Sequence, residues 1–482
     1  MYLNVNSYKH LECDSDMINA AIRDSVKSGQ IVVIPKNNER TGKDVWDITK
    51  TIKFHNDVTL ILNNCHLRLG DGAVCPMFTN ANCDLPLNKK NRQKNITVKG
   101  IGGALLDGGV HNGIYEKNGI VRKVPQKTDY KATQNTMMQF KNVENLVVEG
   151  IHIKDQRYWG IALSMVSYSR ISNIRFSSDS NVPNQDGVDL LLGCHNVVVE
   201  NISGCVGDNL IAICAITTTD SFIGLTDERE GDIRNITIRN VMGYGVGGCA
   251  LIRLLNHDGY KLYNIRIDNV IETSPWSDKD AVVAQNPDLL IKTDNEGNII
   301  PWKRVVPGEQ GYRTEAAILI GESYWYNKSK AKPGDTFGIS VSNVMTHSRF
   351  ALWINNTLQD SSFDNIRVFG NGFMAVYFGE GKVENLKFSN ISYDRDCKPL
   401  QGDEHIYIEW NNTKSDGLSC IYFNGTEVKD VYFNNVICND ALESLIGGNG
   451  TGEITLKSVM LGKKENIMAQ NGIKVIIGDA NV

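Results

Sequence analysis

The sequence predicts an all-β protein, a right-handed parallel β-helix (β-solenoid) with an N-terminal capping helix. Three observations support this prediction. Short strands led by asparagine recur from about residue 95 onward, more continuously apolar strands lie between them, and helical periodicity is confined to the N-terminal region. A coil of repeated rungs that is closed at one end by a helix accounts for all three.

The first observation is a repeat of asparagine followed by alternating apolar residues, as in NITVKG, NLVVEG and NIRVFG. Each copy has the period of two and the flanking turn residues that are typical of a short strand. The copies at Asn145 and Asn173 are separated by one rung, as are those at Asn235 and Asn264. The asparagines that begin the copies are Asn95, Asn145, Asn173, Asn196, Asn235, Asn264, Asn365 and Asn385.

The second observation is a set of segments between the Asn-led strands, such as GIALSMV, GVDLLLG, NLIAICA and AAILIGE. They are more continuously apolar than the first set, which is typical of strands in parallel sheets. Two or three strands per rung, with no helical pattern between them, indicate a β-solenoid.

The N-terminal segment differs from the rest, because residues 16–27 have the apolar spacing of one amphipathic helix, followed by Gly29 and a strand. We expect this segment to belong to a cap, about residues 1–35, that covers the open end of the solenoid. The chain 1–482 is predicted to be a single β-helix domain. Loops without repeat character are expected at about 72–92, 109–136, 217–231 and 272–312.

The composition limits the classes of partner. With 50 basic and 55 acidic residues and a formal charge of −5, the 482-residue chain has no long basic run, so no nucleic-acid partner is expected. No membrane span is predicted, and residues 1–17 lack a secretory leader, so a cytoplasmic location is expected for the chain as given, or secretion if a leader was removed. A homo-oligomer is compatible with the sequence. No metal and no cofactor are expected, since no cluster has ligand spacing.

The stretch 155–215 contains acid-bearing breaks at matching places in successive rungs. These are NQDGVD, with Asp186 and Asp189, and GDN, with Asp208. Asp186 and Asp208 are 22 residues apart, which is one rung, so the two carboxylates are expected on adjacent rungs of one face, about 4.8 Å apart at backbone level. Neighbouring carboxylates perturb each other, so that one can act as an acid and the other as a base, as glycoside hydrolysis requires.

These residues resemble the polygalacturonase family of glycoside hydrolases, family 28. The resemblance rests on a W-G-I strand at Trp159, an N-x-D-G-[VI]-D element at 184–189 and a G-D-[DN]-x-I-A-I element at 207–213, with weaker similarity over about 10–270. In that family three acids surround the scissile bond, the middle one being the general acid and the outer two holding the water. The resemblance implies that Asp208 is the acid and Asp186 the base.

The sequence departs from the family at three elements. Asn209 replaces the second Asp of G-D-D, and it can hold a water but cannot accept its proton near neutral pH. The G-H-G element is replaced by VGGCALIRLL, with Cys249 near the His position and His257 shortly after. The R-I-K element, which grips a galacturonate carboxylate in the family, is missing from EAAILIGESYW. Activity on plain polygalacturonate is therefore not expected.

Further residues are weighed as substrate contacts against structural roles. Arg253 either reaches a sugar oxygen or pairs with an acid. The aromatic pairs Tyr158–Trp159 and Tyr324–Trp325 either stack on sugar rings or cap solenoid edges. Glu315 and Glu322 flank an apolar strand, and either one supplies a further carboxylate or is only solvated. The residues predicted to bind substrate are Asn209, Asp189, Arg253, His257, Tyr158, Trp159 and Glu322.

Three functions stay in competition. The first is a glycoside hydrolase, exo-acting on a short plant- or microbe-derived oligosaccharide by acid/base catalysis with Asp186 and Asp208. The second is a polysaccharide lyase or uronate epimerase on the same scaffold. The third is a non-catalytic glycan-binding β-helix. In each case the expected partner is an oligosaccharide or polysaccharide.

Overall fold

The computed structural model describes most of the chain. The described residues are 2–71, 73–109, 135–178, 184–216, 231–245, 250–257, 259–274, 314–321, 331–370, 372, 374–394, 419–438, 444–461 and 472–478, together with the backbone of short strands at 116–117, 120–121, 291–293, 299–301, 405–408 and 413–416. The loops predicted at 109–136, 217–231 and 272–312 lie largely outside these residues.

The chain divides into two compact units. The first comprises residues 1–211, 218–231 and 283–306, and the second comprises 212–217, 232–282 and 307–482. Both have the architecture of the right-handed parallel β-helix, so the predicted fold class is confirmed. The prediction of one cooperative domain stays a prediction.

In the first unit, equivalent strands of successive rungs pair in parallel and place apolar side chains in a continuous inner row. Val148 pairs with Ile171, which pairs with Val199, and all three are fully buried. The strands are Tyr2–Asn4, Ile31–Ile34, Val45–Ile48, Ile52–Phe54, Thr59–Asn63, His66–Leu69, Phe78–Asn80, Gln93–Ile101, Leu105–Asp107, Glu116–Lys117, Ile120–Val121, Met138–Lys141, Val143–Lys154, Ile161–Ser164, Ser167–Ser177, Val188–Leu191, His195–Val206, Ile291–Thr293 and Ile299–Pro301, and Ile211–Ala215 contains the boundary with the second unit.

In the second unit the inner row includes stacked aromatic rings. The ring of Phe388 lies 4.7 Å from that of Phe363 and 4.5 Å from that of Phe433, nearly parallel to both. The strands are Ile233–Gly245, Ala250–Asn256, Leu262–Glu272, Ala316–Ile320, Thr336–Thr346, Phe350–Ile354, Leu358–Phe369, Met374–Phe378, Gly381–Asp394, His405–Ile408, Thr413–Asp416, Ser419–Cys438, Ser444–Leu461 and Ile473–Ile477.

The asparagines of the sequence repeat occupy turns in the left-handed backbone region. All eight have φ between 53° and 61°, a region that asparagine tolerates better than most residues. Their side chains bond from rung to rung: Nδ2 of Asn145 donates to Oδ1 of Asn95 at 2.8 Å, and Nδ2 of Asn264 donates to Oδ1 of Asn235 at 2.6 Å. Each asparagine of the repeat therefore marks a turn, and the bonds between these asparagines help to set the register of successive rungs.

The predicted N-terminal helix is confirmed and spans Asp14–Ser28. It ends at Gly29, whose φ of 68° suits a residue without a side chain. The carboxylate of Asp14 accepts the N–H of Asp47 at 2.8 Å, and the hydroxyl of Ser15 accepts the N–H of Thr49 at 3.0 Å, so the helix is bonded to one rung. In the described part of the chain, no helix has the length and apolarity to cross a membrane.

The segment 72–92, expected to lie outside the repeat, contributes one short strand. Phe78–Asn80 pairs in parallel with Ile52–Phe54 and with Met138–Lys141, and a 3-10 helix follows at Lys89–Asn91. Three residues are too few to display the alternation by which strands are found in a sequence. The pairing is decided by the strands on either side.

Candidate active site

The turn that carries Asp186 is bonded to the turn of the next rung on both of its sides. The N–H of Gly207 donates to the carbonyl of Gln185 at 3.1 Å, and the N–H of Gly187 donates to the carbonyl of Asn209 at 2.9 Å. The interval of 22 residues therefore corresponds to one rung, and the two predicted catalytic carboxylates lie on adjacent rungs.

Asn209 joins these two carboxylates. Its Nδ2 donates to Oδ2 of Asp186 at 3.0 Å and to Oδ1 of Asp208 at 2.7 Å. Its backbone N–H also lies within hydrogen-bond distance of both, at 3.3 Å and 3.0 Å. Asp186 and Asn209 are buried, with 4% and 2% of their surface exposed, whereas Asp208 is half-buried. Asp208 is thus the more accessible acid.

The contacts of Asn209 add to the role that the sequence indicates. Its Nδ2 bonds to both carboxylates, and the holding of a water by this side chain stays a prediction. An amide nitrogen carries two donors and no charge, so it can serve both acids at once. Hydrogen bonds of this kind compensate a buried carboxylate for the loss of water.

Asp189 lies three residues after Asp186, on the strand Val188–Leu191. It pairs with Ala162 of the preceding rung, which in turn pairs with Gln139, and 2% of its surface is exposed. A contact with a sugar hydroxyl stays a prediction for this residue.

The aromatic pair lies on the rung that precedes Asp186. The rings of Tyr158 and Trp159 are 4.8 Å apart with a tilt of 36°. The next residue, Gly160, donates its N–H to the carbonyl of Asp186 at 2.9 Å. Trp159 is 7% exposed and Tyr158 is half-buried, so Tyr158 offers the larger surface to a ligand. Stacking on a sugar stays a prediction.

Arg157, which precedes the aromatic pair, is not among the residues that the sequence predicts for the site. Its side chain binds four backbone carbonyls. Its guanidinium donates to the carbonyls of Gly108 at 2.7 Å, Ala73 at 2.5 Å, Gly70 at 3.1 Å and Leu69 at 3.3 Å. The side chain is buried, with 2% of the residue exposed. The sequence around Arg157 does not predict these hydrogen bonds, because the carbonyls that accept them lie far away in the chain.

Sequence reasoning also missed two glutamines that hold the turn of Asp186. Nε2 of Gln156 donates to the carbonyl of Asp186 at 3.1 Å and lies 3.4 Å from the carbonyl of Gln185. In return, Nε2 of Gln185 donates to the carbonyl of Gln156 at 2.8 Å. Both glutamines are fully buried. The sequence distinguishes the two glutamines only by their positions, each in a polar segment that precedes a predicted apolar strand.

Two further predicted contacts lie in the second unit. Arg253 is half-buried on Ala250–Asn256 and pairs in register with Leu319. His257 follows the same strand and is fully buried, and its N–H donates to the carbonyl of Ala215 at 3.2 Å. A fully buried ring presents no surface to a substrate in this conformation. Glu322, Tyr324, Trp325 and Cys249 lie outside the described residues.

Glu315, the alternative carboxylate, forms a buried ion pair in the second unit. Its Oε1 lies 3.1 Å from Nη1 of Arg349, and both side chains are 7% exposed. This carboxylate is thus engaged in an ion pair inside the protein. Across the described residues, no three His, Cys, Asp or Glu side chains are grouped so as to hold a metal ion.

Comparison with known proteins gives a match to one family over part of the chain and a similarity of fold to solved structures. The sequence profile of the family described as "Glycosyl hydrolases family 28" matches residues 77–226. The "Putative galacturan 1,4-alpha-galacturonidase C" of Aspergillus niger is 26% identical over 372 residues, which cover 75% of this chain and 70% of that protein. A "Probable polygalacturonase" of Arabidopsis thaliana is 23% identical over 168 residues, which cover 30% of this chain and 37% of that protein.

Among solved structures, the A-module of a mannuronan C-5 epimerase from Azotobacter vinelandii superposes with a TM-score of 0.53. It is 12% identical, and the superposition covers 100% of both chains. At this identity the likeness concerns the fold alone. The sequence comparisons show that the chain resembles the polygalacturonase family of glycoside hydrolases, and the matched residues include the turns that carry Asp186 and Asp208.

Proposed function

We propose that this protein is a glycoside hydrolase in which Asp208 is the general acid and Asp186 the general base. The observation that carries the proposal is the bridge formed by Asn209, which holds both carboxylates within hydrogen-bond distance of one nitrogen. Two carboxyl groups on adjacent rungs, one half-buried and one buried, offer the unequal environments on which acid/base pairs depend.

In the proposed reaction Asp208 begins protonated and gives its proton to the glycosidic oxygen as the bond from that oxygen to the anomeric carbon breaks. Asp186 begins ionised and takes a proton from the water whose oxygen bonds to the anomeric carbon. Two sugars with free hydroxyl groups are released. Both carboxyl groups then return to their starting states by exchanging protons with solvent.

We propose a short oligosaccharide as the substrate, cleaved from one end, in preference to plain polygalacturonate. The strand Ala316–Ile320, where the family has its basic grip on a galacturonate carboxylate, reads AAILI and has no basic side chain. The name of the Aspergillus niger relative nevertheless makes oligogalacturonides the reference substrates for comparison. The long loops predicted between strands suit a groove that is closed at one end.

The test is a set of isosteric variants assayed on plant and microbial oligosaccharides, including oligogalacturonides. Asp208→Asn should lower turnover by about 10² to 10⁴ or more, because it removes the transferable proton, while leaving ligand binding nearly unchanged. Asp186→Asn should be comparably severe. The matched control is Asp44→Asn, which changes an exposed carboxylate near Lys36 and should leave turnover unchanged.

Product analysis separates this proposal from the other functions. Reducing ends that appear without ultraviolet absorbance indicate hydrolysis, whereas an absorbing unsaturated product indicates a lyase and a changed sugar configuration indicates an epimerase. Sugar binding without turnover by the unaltered chain would identify a glycan-binding protein. If Asp208→Asn keeps most of its turnover on a confirmed substrate, the assignment of the acid is wrong.

A further inference from the structure

We propose that Gln156 is a positioning residue that fixes the backbone of Asp186, and with it the carboxylate that acts as base. This inference rests on the proposed function and adds to it a residue that touches no substrate. Gln156 is fully buried on the rung preceding Asp186, so it acts from inside the protein.

The first step of the argument concerns the carbonyl of Asp186, which accepts two hydrogen bonds. One comes from Nε2 of Gln156 at 3.1 Å and the other from the N–H of Gly160 at 2.9 Å. A carbonyl oxygen has two lone pairs, and two donors fixed in one rung occupy both. The peptide plane that follows Asp186 is therefore held from the preceding rung.

The second step concerns the orientation of the Gln156 amide. Its Oε1 accepts the hydroxyl of Ser178 at 2.9 Å, which leaves Nε2 to face the carbonyls of Asp186 and Gln185. The reverse orientation would place Oε1 against two carbonyl oxygens, which is unfavourable. The bond from Gln185 back to the carbonyl of Gln156, at 2.8 Å, closes the arrangement.

The third step links this arrangement to catalysis. The preceding rung fixes the backbone of Asp186, and Asn209 on the next rung fixes its carboxylate through a 3.0 Å hydrogen bond. A base must reach its water to within a few tenths of an ångström, and a misplacement of about 1 Å can cost about 100-fold in rate. Without Gln156, the backbone carbonyl of Asp186 loses one of the two donors described here, and its peptide plane is held less firmly.

The experiment compares two buried glutamines of the first unit. Gln156→Met keeps the approximate volume but removes the amide, and we expect kcat to fall about 10- to 100-fold while KM changes less than about threefold. The control is Gln93→Met. Gln93 is also buried, accepts the N–H of Asn82 at 2.7 Å and donates to the carbonyl of Phe54 at 3.2 Å. It should lose thermal stability without losing kcat.

A second variant keeps the test decisive if Gln156→Met does not fold. Ser178→Ala retains the Gln156 amide but removes the donor that orients it, so a smaller loss of kcat at unchanged KM is expected. When both variants fold, their effects on kcat should be non-additive, since they act on one amide. A crystal structure of either variant should show a longer distance between Asp186 and Asn209.

Unchanged kcat in folded Gln156→Met and Ser178→Ala would overturn the inference, provided that Asp186→Asn is inactive. An equal loss of kcat in Gln93→Met would also overturn it, because the effect would then reflect general loosening of the unit. Retention of turnover by Asp186→Asn would instead refute the proposed function itself. The failures of the two proposals are thus distinguishable.

Discussion

Nδ2 of Asn209 lies 3.0 Å from Oδ2 of Asp186 and serves as a hydrogen-bond donor to it. In the family's pattern a carboxylate occupies the position of Asn209, and it would face Asp186 without a proton to donate. The same nitrogen also reaches Asp208 at 2.7 Å. The site therefore replaces a third negative charge with a neutral group that bonds to the other two acids.

Asn209→Asp should shift the pH dependence of activity. The new carboxylate adds like-charge repulsion beside the two acids, so the neutral-side limb of the activity profile should move to higher pH. The measurement is kcat/KM as a function of pH on the confirmed substrate. Asn201→Asp adds the same charge at an exposed turn and should leave the limb in place, because exposed charges are screened. A limb that stays in place in Asn209→Asp would contradict the assigned acid.

Glu315→Gln should lower stability without lowering turnover. It breaks the buried ion pair with Arg349, and the loss of one partner from a buried pair costs about 3 to 5 kcal/mol in comparable cases. The double variant Glu315→Leu with Arg349→Met should cost less than the two single changes together, since it removes both charges. Urea unfolding gives the stabilities, and kcat of the folded fraction gives the activity. A loss of kcat at unchanged stability would make Glu315 a candidate catalytic group.

Arg157→Met should be among the most destabilising changes in the first unit. It leaves four buried carbonyls, those of residues 69, 70, 73 and 108, without the guanidinium donors. A buried acceptor that loses its donor costs about 1 to 3 kcal/mol, so a total of at least about 3 kcal/mol is expected. Arg157→Lys should rescue this only in part, because an ammonium lacks the planar fork. Arg367→Met, which alters an exposed pair with Asp394, should cost less than about 1 kcal/mol.

Asp107→Asn should change how stability depends on acid pH. Burial of the Asp107 carboxyl group raises its pKa, but hydrogen bonds from His66 and the N–H of Gly109, with the charge of Lys154, outweigh burial and leave the pKa below its usual value. A depressed pKa stabilises the fold above the unfolded-state value, near pH 4, and this contribution is lost as the pH falls through the folded-state value.

The variant should therefore melt below the unaltered protein at neutral pH, and the difference should shrink as the pH falls below about 4. Thermal midpoints measured by circular dichroism across this range test it. Asp44→Asn, at an exposed site, should show no such convergence. A difference that stays constant with pH would mean that the carboxylate charge is not responsible.

Much of the fold was predictable because its signals are local. The asparagines that begin strands, such as Asn145 and Asn264, adopt the left-handed backbone conformation, which asparagine tolerates better than most residues. The strands Ile161–Ser164 and Val188–Leu191 lie where the sequence has continuous apolar runs. Phe78–Asn80 was not predicted, because a three-residue strand takes its identity from its neighbours in space.

The candidate site was predictable only in part. The 22-residue interval between Asp186 and Asp208 predicts that they lie on adjacent rungs, because it equals the length of one rung. The contacts of Asn209, Gln156 and Arg157 depend on where each side chain points between rungs. The sequence contains no repeat from which these directions could be predicted. Hydrogen bonds from Arg157 reach residues 84 to 88 positions earlier in the chain.

Those contacts constrain the order in which the chain assembles. The carbonyls of Leu69 and Ala73 precede Arg157 by 88 and 84 residues, so during synthesis they emerge well before their donor. Until Arg157 arrives they lack its guanidinium as a donor, so closing the early rungs around them is less favourable than in the complete protein. Contacts of such sequence separation form late, because the cost of loop closure precedes any gain from the contact. We therefore expect a nascent chain that stops short of Arg157 to remain loose and sensitive to proteases, and to become resistant only once this residue has emerged.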